Sequence, residues 1–159
     1  MAVAGDTSFM AAVNDTDPKS KGKSYSVEIK GSNYNHFLGK KIGDMVDGQF
    51  VGEGDQSLLG YQLQITGGSD KTGTPMRSDI LGGNRQAVLV SKGTGYKAHK
   101  LVKKKGKTYR YTYDGIRKRR YFRGNTINQD TRQLNLKVVE SGKKSLVDLL
   151  GGGGTSEES

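Results

Sequence analysis

Period-two alternation of apolar and polar residues is the dominant pattern along this chain. Tyr25, Val27 and Ile29 alternate with Ser26, Glu28 and Lys30, and Tyr61, Leu63 and Ile65 alternate with Gln62, Gln64 and Thr66. Leu134, Leu136 and Val138 repeat the pattern near the end of the chain. Each segment predicts a half-buried strand, because side chains two residues apart share one face of a pleated strand. Phe9 to Val13 predicts a further strand, and the unbroken apolar run Ala87 to Val90 predicts one buried on both faces. Tyr109, Tyr111 and Tyr113 share a face opposite Thr108, Arg110 and Thr112. Asp114-Gly115 then reads as a two-residue hairpin turn. That turn would set Tyr113 against Ile116, Tyr111 against Lys118, Tyr109 against Arg120 and Arg110 against Arg119. Two short helical turns complete the pattern. One is expected among Phe37, Leu38, Ile42, Met45 and Val46, after Gly31-Ser32-Asn33 ends the preceding strand. The other starts at Ser145, which can cap, with Asp148 three residues on and Leu146, Leu149 and Leu150 along one side. About seven short strands joined by Gly-rich turns place the chain in a mainly β class.

Composition sharpens this picture. The chain has 159 residues, 24 of them Gly, and Leu, Ile, Val and Phe together make up only about a fifth of it. The length fits a single β-rich domain over residues 9–150, with a flexible N-terminus at 1–8 and a Gly-rich, acidic tail at 151–159. A core this thin reaches full order most readily on a partner that neutralises its charge. There is no Cys, and His36 and His99 have no ligand spacing around them, so no metal or other cofactor is expected. No apolar run approaches a membrane span, and Met1 does not open a signal sequence, so neither a membrane nor secretion is implied.

The charge is local. The formal net charge is +10, yet residues 92–123 hold 13 of the 26 basic residues and one of the 16 acids, Asp114. The basic set is Lys92, Lys97, Lys100, Lys103, Lys104, Lys105, Lys107, Arg110, Arg117, Lys118, Arg119, Arg120 and Arg123. Six of the twelve aromatic residues, Tyr96, Tyr109, Tyr111, Tyr113, Tyr121 and Phe122, lie among them. Lysines alone would read as a solvated charge run. Arg and Tyr at this density instead suit a phosphate backbone with stackable bases. Gly67, Gly68, Ser69 and Asp70 follow a strand, as a phosphate-binding loop would. The P-loop pattern fails, however, because Thr74 stands where Lys must follow Gly73. No nucleotide hydrolysis, small-molecule substrate or other enzymatic role is expected. The physical reading is a rigid turn, in which the glycines permit positive φ, Asp70 bonds nearby amides and Pro75 restrains Thr74. A structural turn and a direct RNA contact both remain open for it.

At this loop the chain resembles a known family. Ile65-Thr66-Gly67-Gly68-Ser69-Asp70, with Gly73, Pro75, Met76 and Arg77 beyond them, is similar to the signature of the "S-six-e" ribosomal proteins of the archaeal and eukaryotic small subunit. Gly39 to Asp44, Lys92 to Lys97, Gly115 to Arg120, Arg123 to Ile127 and Leu134 to Val139 resemble further blocks of the same family. The resemblance covers residues 9–140 and is to the short, archaeal-type form. It implies a barrel-like β-rich fold and a structural role in the small subunit of the cytoplasmic ribosome. The implied partners are small-subunit rRNA and neighbouring ribosomal proteins. One departure is visible: Lys104 to Tyr113 is longer than the family pattern before the basic strand, which makes the hairpin an extension of this chain. The competing reading is a free-standing nucleic-acid-binding module of chromatin-like or cold-shock-like type. It leaves Ile65 to Met76 without a role.

Overall fold

A computed structural model describes residues 8–151, so the ends expected to be flexible lie outside the described residues apart from Ser8 and Gly151. The strands are β1 (Ser8–Asn14), β2 (Ser24–Lys30), β3 (Met45–Asp47), β4 (Gln62–Asp70), β5 (Arg85–Val90), β6 (Lys100–Lys104), β7 (Lys107–Tyr111), β8 (Lys118–Arg123) and β9 (Thr131–Glu140). Two short helices, α1 (Gly31–Phe37) and α2 (Leu146–Leu150), cover ends of the sheet. Neither is long and apolar enough to cross a membrane.

Five strands form one curled half-barrel sheet in the order β2-β1-β9-β4-β3. β1 pairs antiparallel with β2 and parallel with β9, and β9 pairs antiparallel with β4. The alternation predicted from sequence now has its cause. Phe9, Ala11 and Val13 of β1, Val27 and Ile29 of β2, Leu63 and Ile65 of β4, and Leu134, Leu136 and Val138 of β9 all point into one core. α1 closes it with Tyr34 and Phe37; the Phe9 ring stacks on Tyr34 at 4.3 Å and meets Phe37 edge-on at 6.2 Å. α2 adds Leu146, and its start is capped as expected, with the Ser145 hydroxyl accepting from the Asp148 amide at 3.2 Å. Burial of such side chains stabilises by about 1.5–3 kcal/mol each.

The curl comes from β4. Its register against β9 breaks between Gln62 and Leu63, between Ile65 and Gly67, and between Ser69 and Asp70. Each bulge bends the strand and re-aims the side chains beyond it. The end of β4 thereby turns Asp70 inward, to a buried position. Gly68 is needed for close packing. A Cβ there would stand 2.3 Å from the Gln133 carbonyl oxygen.

Three expectations are corrected. The helical turn expected among Phe37 to Val46 does not form there: Gly31-Ser32-Asn33 end β2 as expected but also open α1, which stops at Phe37, Met45 and Val46 belong to β3, and Gly31 supplies the positive φ of +59 at the junction. Ala87 to Val90 is not buried on both faces. β5 belongs to a two-stranded sheet with β8, Leu89 is 52% exposed, and Val90 alone of the four is buried. The third correction concerns the basic hairpin. Its turn is Lys105-Gly106, not Asp114-Gly115, so β7 pairs with β6 and β8 pairs with β5. A two-residue hairpin turn of type I′ needs positive φ at both central residues. Lys105 (φ +46) and Gly106 (φ +75) supply it, whereas at the second turn Gly115 alone takes positive φ (+88). The expected Arg110–Arg119 opposition therefore does not form: Arg110 faces Leu101 and Arg119 faces Leu89.

Candidate nucleic-acid interface

The signature loop is tied down by one carboxylate. Asp70 Oδ1 accepts hydrogen bonds from the backbone N–H groups of Thr72 and Thr74, each at 2.9 Å, and from the Thr72 hydroxyl at 2.8 Å. Asp70 Oδ2 accepts from Arg85 Nη2 at 2.8 Å and Arg123 Nε at 3.0 Å. Burial pushes the Asp70 pKa up. The Arg85 hydrogen bond, the Thr74 amide, Thr72 and Arg123 outweigh it and hold the carboxyl well below the usual carboxylate range. Arg85 opens β5 and Arg123 ends β8, so this carboxylate fastens the two-stranded β5–β8 sheet to the half-barrel. Backbone bonds extend the seam: Arg123 N–H donates to the Pro75 carbonyl at 2.9 Å and Arg77 N–H donates to the Arg123 carbonyl at 3.0 Å. Gly73 takes the positive φ (+84) expected of it, but Gly67 and Gly68 lie within β4 and do not.

Arg123 thus differs from the other basic residues of the 92–123 segment. Its guanidinium bonds Asp70, the Gly83 carbonyl and Asp130, and its side chain is 16% exposed. The other twelve are exposed. Arg77 is likewise occupied, held by both oxygens of Asp79 at 2.8 and 2.7 Å, with its guanidinium 5.1 Å from the centre of the Phe122 ring.

β8 carries the exposed cations across this seam. Its alternation sends Phe122 inward, where it packs with Val90, Tyr96 and Ala98 in a small second core. Gly95 lies directly against that ring, since a Cβ would come within 2.6 Å of it. Arg119 and Tyr121 take the opposite face. Arg120 stays at the surface with its guanidinium 5.5 Å from the centre of the Tyr96 ring, a cation–π contact that holds the side chain without neutralising it. Two adjoining clefts of about 370 and 500 Å³ flank the strand. One runs between Lys118–Tyr121 and the signature residues Thr72–Pro75; the other is bounded by Lys97, His99, Lys118 and Arg120. None of Lys118, Arg119 or Arg120 forms an ion pair with a described residue. A strip of unneutralised Lys and Arg beside a concave wall is equipped to take phosphates.

The remaining basic residues lie on other elements. Lys92 and Lys97 sit on the loop after β5, and Arg117 stands just before β8. Lys100, Lys103, Lys104, Lys105, Lys107 and Arg110 are carried on the β6–β7 hairpin, which pairs with no other strand among the described residues. Among the described residues no group of His, Asp and Glu is placed to hold a metal ion. Sequence reasoning missed Arg85 and Asp130 as members of the Asp70 clasp. No local signal pointed to them: Arg85 stands 15 residues from Asp70, and Asp130 joins only through Arg123.

The model of the family described as ribosomal protein S6e matches residues 12–100 and 97–151. The chain belongs to the ribosomal protein S6e family. Its relatives include the small ribosomal subunit protein eS6 of Natronomonas pharaonis, 42% identical over 91% of this chain and 95% of that protein. The proteins of the same description from Methanothermobacter thermautotrophicus and Methanocaldococcus jannaschii are each 43% identical. Those alignments cover 82% and 89% of this chain, and 90% and 92% of the relatives. All three relatives are archaeal, in keeping with the archaeal-type S6e form. The two stretches matched by the S6e model meet at residues 97–100, where β6 leaves the body of the fold.

Proposed function

We propose that this chain is a structural constituent of the small ribosomal subunit that binds rRNA through the basic, Tyr-interleaved segment 92–123. It acts in the cytoplasmic ribosome, beside neighbouring ribosomal proteins, and catalyses no reaction. The observation that carries the RNA contact is the position of Lys118, Arg119 and Arg120. They are exposed, unneutralised and set along the two clefts, one of which has the family's signature loop as its far wall. Phosphates in those clefts would meet Arg and Lys donors, with Tyr121 exposed beside them for ribose or base packing. The signature loop then serves the interface in two ways: Asp70 fixes the angle of β8, and Thr72–Pro75 shape the wall. The test is binding of purified protein to small-subunit rRNA as a function of salt. Log affinity is expected to fall by about 0.7–0.9 per log salt for each phosphate neutralised. A slope equivalent to fewer than about two phosphates, or equal affinity for generic duplex DNA, contradicts the proposal.

A further inference from the structure

We propose that the β6–β7 hairpin is a separate RNA-binding arm, built to receive unpaired nucleotides rather than duplex. This rests on the reading of the chain as an rRNA-binding protein and adds a second site with its own ligand class. The arm projects: among the described residues β6 and β7 pair only with each other, every residue of β7 is exposed, and Val102 alone in β6 is half-buried. Its register sorts the two faces. Val102 pairs with Tyr109 and Lys100 with Tyr111, so both tyrosines share a face with Val102 beneath them. Leu101, Lys103, Thr108 and Arg110 take the reverse face. The two rings lie 6.5 Å apart at 28°, and they are 43% and 45% exposed.

Charge complementarity names the occupant. From Lys100 to Tyr111 the arm carries six cations and no acid, which suits a phosphate chain and repels a basic protein neighbour. The tyrosine face selects among RNAs. Aromatic side chains side by side on a strand face receive successive unstacked bases, whereas stacked bases inside an A-form helix cannot reach them and its major groove is too narrow to be read. The fold prepares the arm without fixing it. The Lys105-Gly106 turn closes its tip, and His99 Nδ1 lies 3.0 Å from the Thr112 hydroxyl at its base. A two-stranded ribbon alone is only marginally stable in water, so the arm settles onto its ligand.

The experiment uses the full chain, wild type and Y109A/Y111A, against a labelled unstructured oligouridine and a fully paired RNA hairpin. The double substitution is expected to weaken oligouridine binding by about tenfold per tyrosine and leave binding of the paired hairpin unchanged. Equal affinity of both proteins for oligouridine overturns the proposal, as does an equal loss on both RNAs. A photo-crosslinking p-benzoylphenylalanine in place of Tyr111, in reconstituted small subunits, is expected to capture unpaired rRNA nucleotides. Capture of a ribosomal protein or of paired rRNA overturns it. If wild-type protein fails to bind small-subunit rRNA at all, the underlying reading falls and the arm with it. If wild type binds and the tyrosine variant matches it, the arm alone is refuted.

Discussion

Replacing Asp70 with Asn tests whether a single carboxylate fastens the β5–β8 sheet to the half-barrel. Asn keeps an oxygen for the Thr72 and Thr74 amides, but it sets an amide NH₂ against the Arg85 and Arg123 donors that now meet Oδ2. Removing one partner of a buried ion pair costs about 3–5 kcal/mol. Here the Asp70 side chain is 2% exposed while Arg85 is 38% and Arg123 16% exposed, so the arginines regain some water. The expected loss is therefore about 2–4 kcal/mol, or a fall in unfolding midpoint of roughly 5–15 °C for a chain of this size. The pH dependence gives a second check. The folded pKa of Asp70 is depressed, so its contribution is fully present above the unfolded value near ~4 and is lost as pH falls below it. The Asn variant has no such group. Urea denaturation should find the stability gap between the two proteins constant around neutrality, then narrowing by about 1.4 kcal/mol per pH unit below pH ~4. A variant as stable as wild type at pH 7, or a gap unchanged down to pH 3, refutes the clasp.

Replacing Lys118, Arg119 and Arg120 together with Ser should reduce the salt slope of rRNA binding by about 2–3 and leave the thermal unfolding midpoint unchanged, because these side chains are exposed; circular dichroism tracks the midpoint. Gly68→Ala should lower stability by about 1–3 kcal/mol in urea denaturation, since its Cβ would meet the Gln133 backbone carbonyl rather than a flexible side chain. Gly95→Ala should destabilise as well, by crowding the Phe122 ring at a position with φ +79, and loss of near-ultraviolet tyrosine signal on milder heating would report it. Ser145→Ala removes the cap of α2 and should cost about 1 kcal/mol in urea denaturation.

The half-barrel is legible in the sequence because its strands have one wet face and one dry face. Tyr25 to Lys30, Tyr61 to Thr66 and Leu134 to Val138 can alternate only one way, and Ser145 announces α2 through its capping residues. The outer sheets are less legible. Ala87 to Val90 looks doubly buried, yet β5 is an open ribbon whose stability comes from β8 pairing and a small second core around Phe122. The hairpin turn is ambiguous in sequence because Asp-Gly and Lys-Gly turns compete, and local residue types do not say which strand each arm will find. The charge pattern does mark the 92–123 segment as a cationic surface of the fold. It cannot show that Arg123 is spent on Asp70 and Asp130, because Asp70 lies 53 residues away and is brought in by the bulged end of β4, while Asp130, seven residues on, is returned to Arg123 only by the turn before β9.

The most direct measurement is sedimentation of cell extract through a sucrose gradient, with wild-type chain and the Lys118, Arg119 and Arg120 to Ser variant detected by a tag. Wild type is expected to co-migrate with small subunits through moderate salt, while the variant, equally folded, is released toward the top of the gradient. Wild-type protein remaining at the top, or a variant that stays with the subunits at every salt concentration tested, would contradict the proposed role.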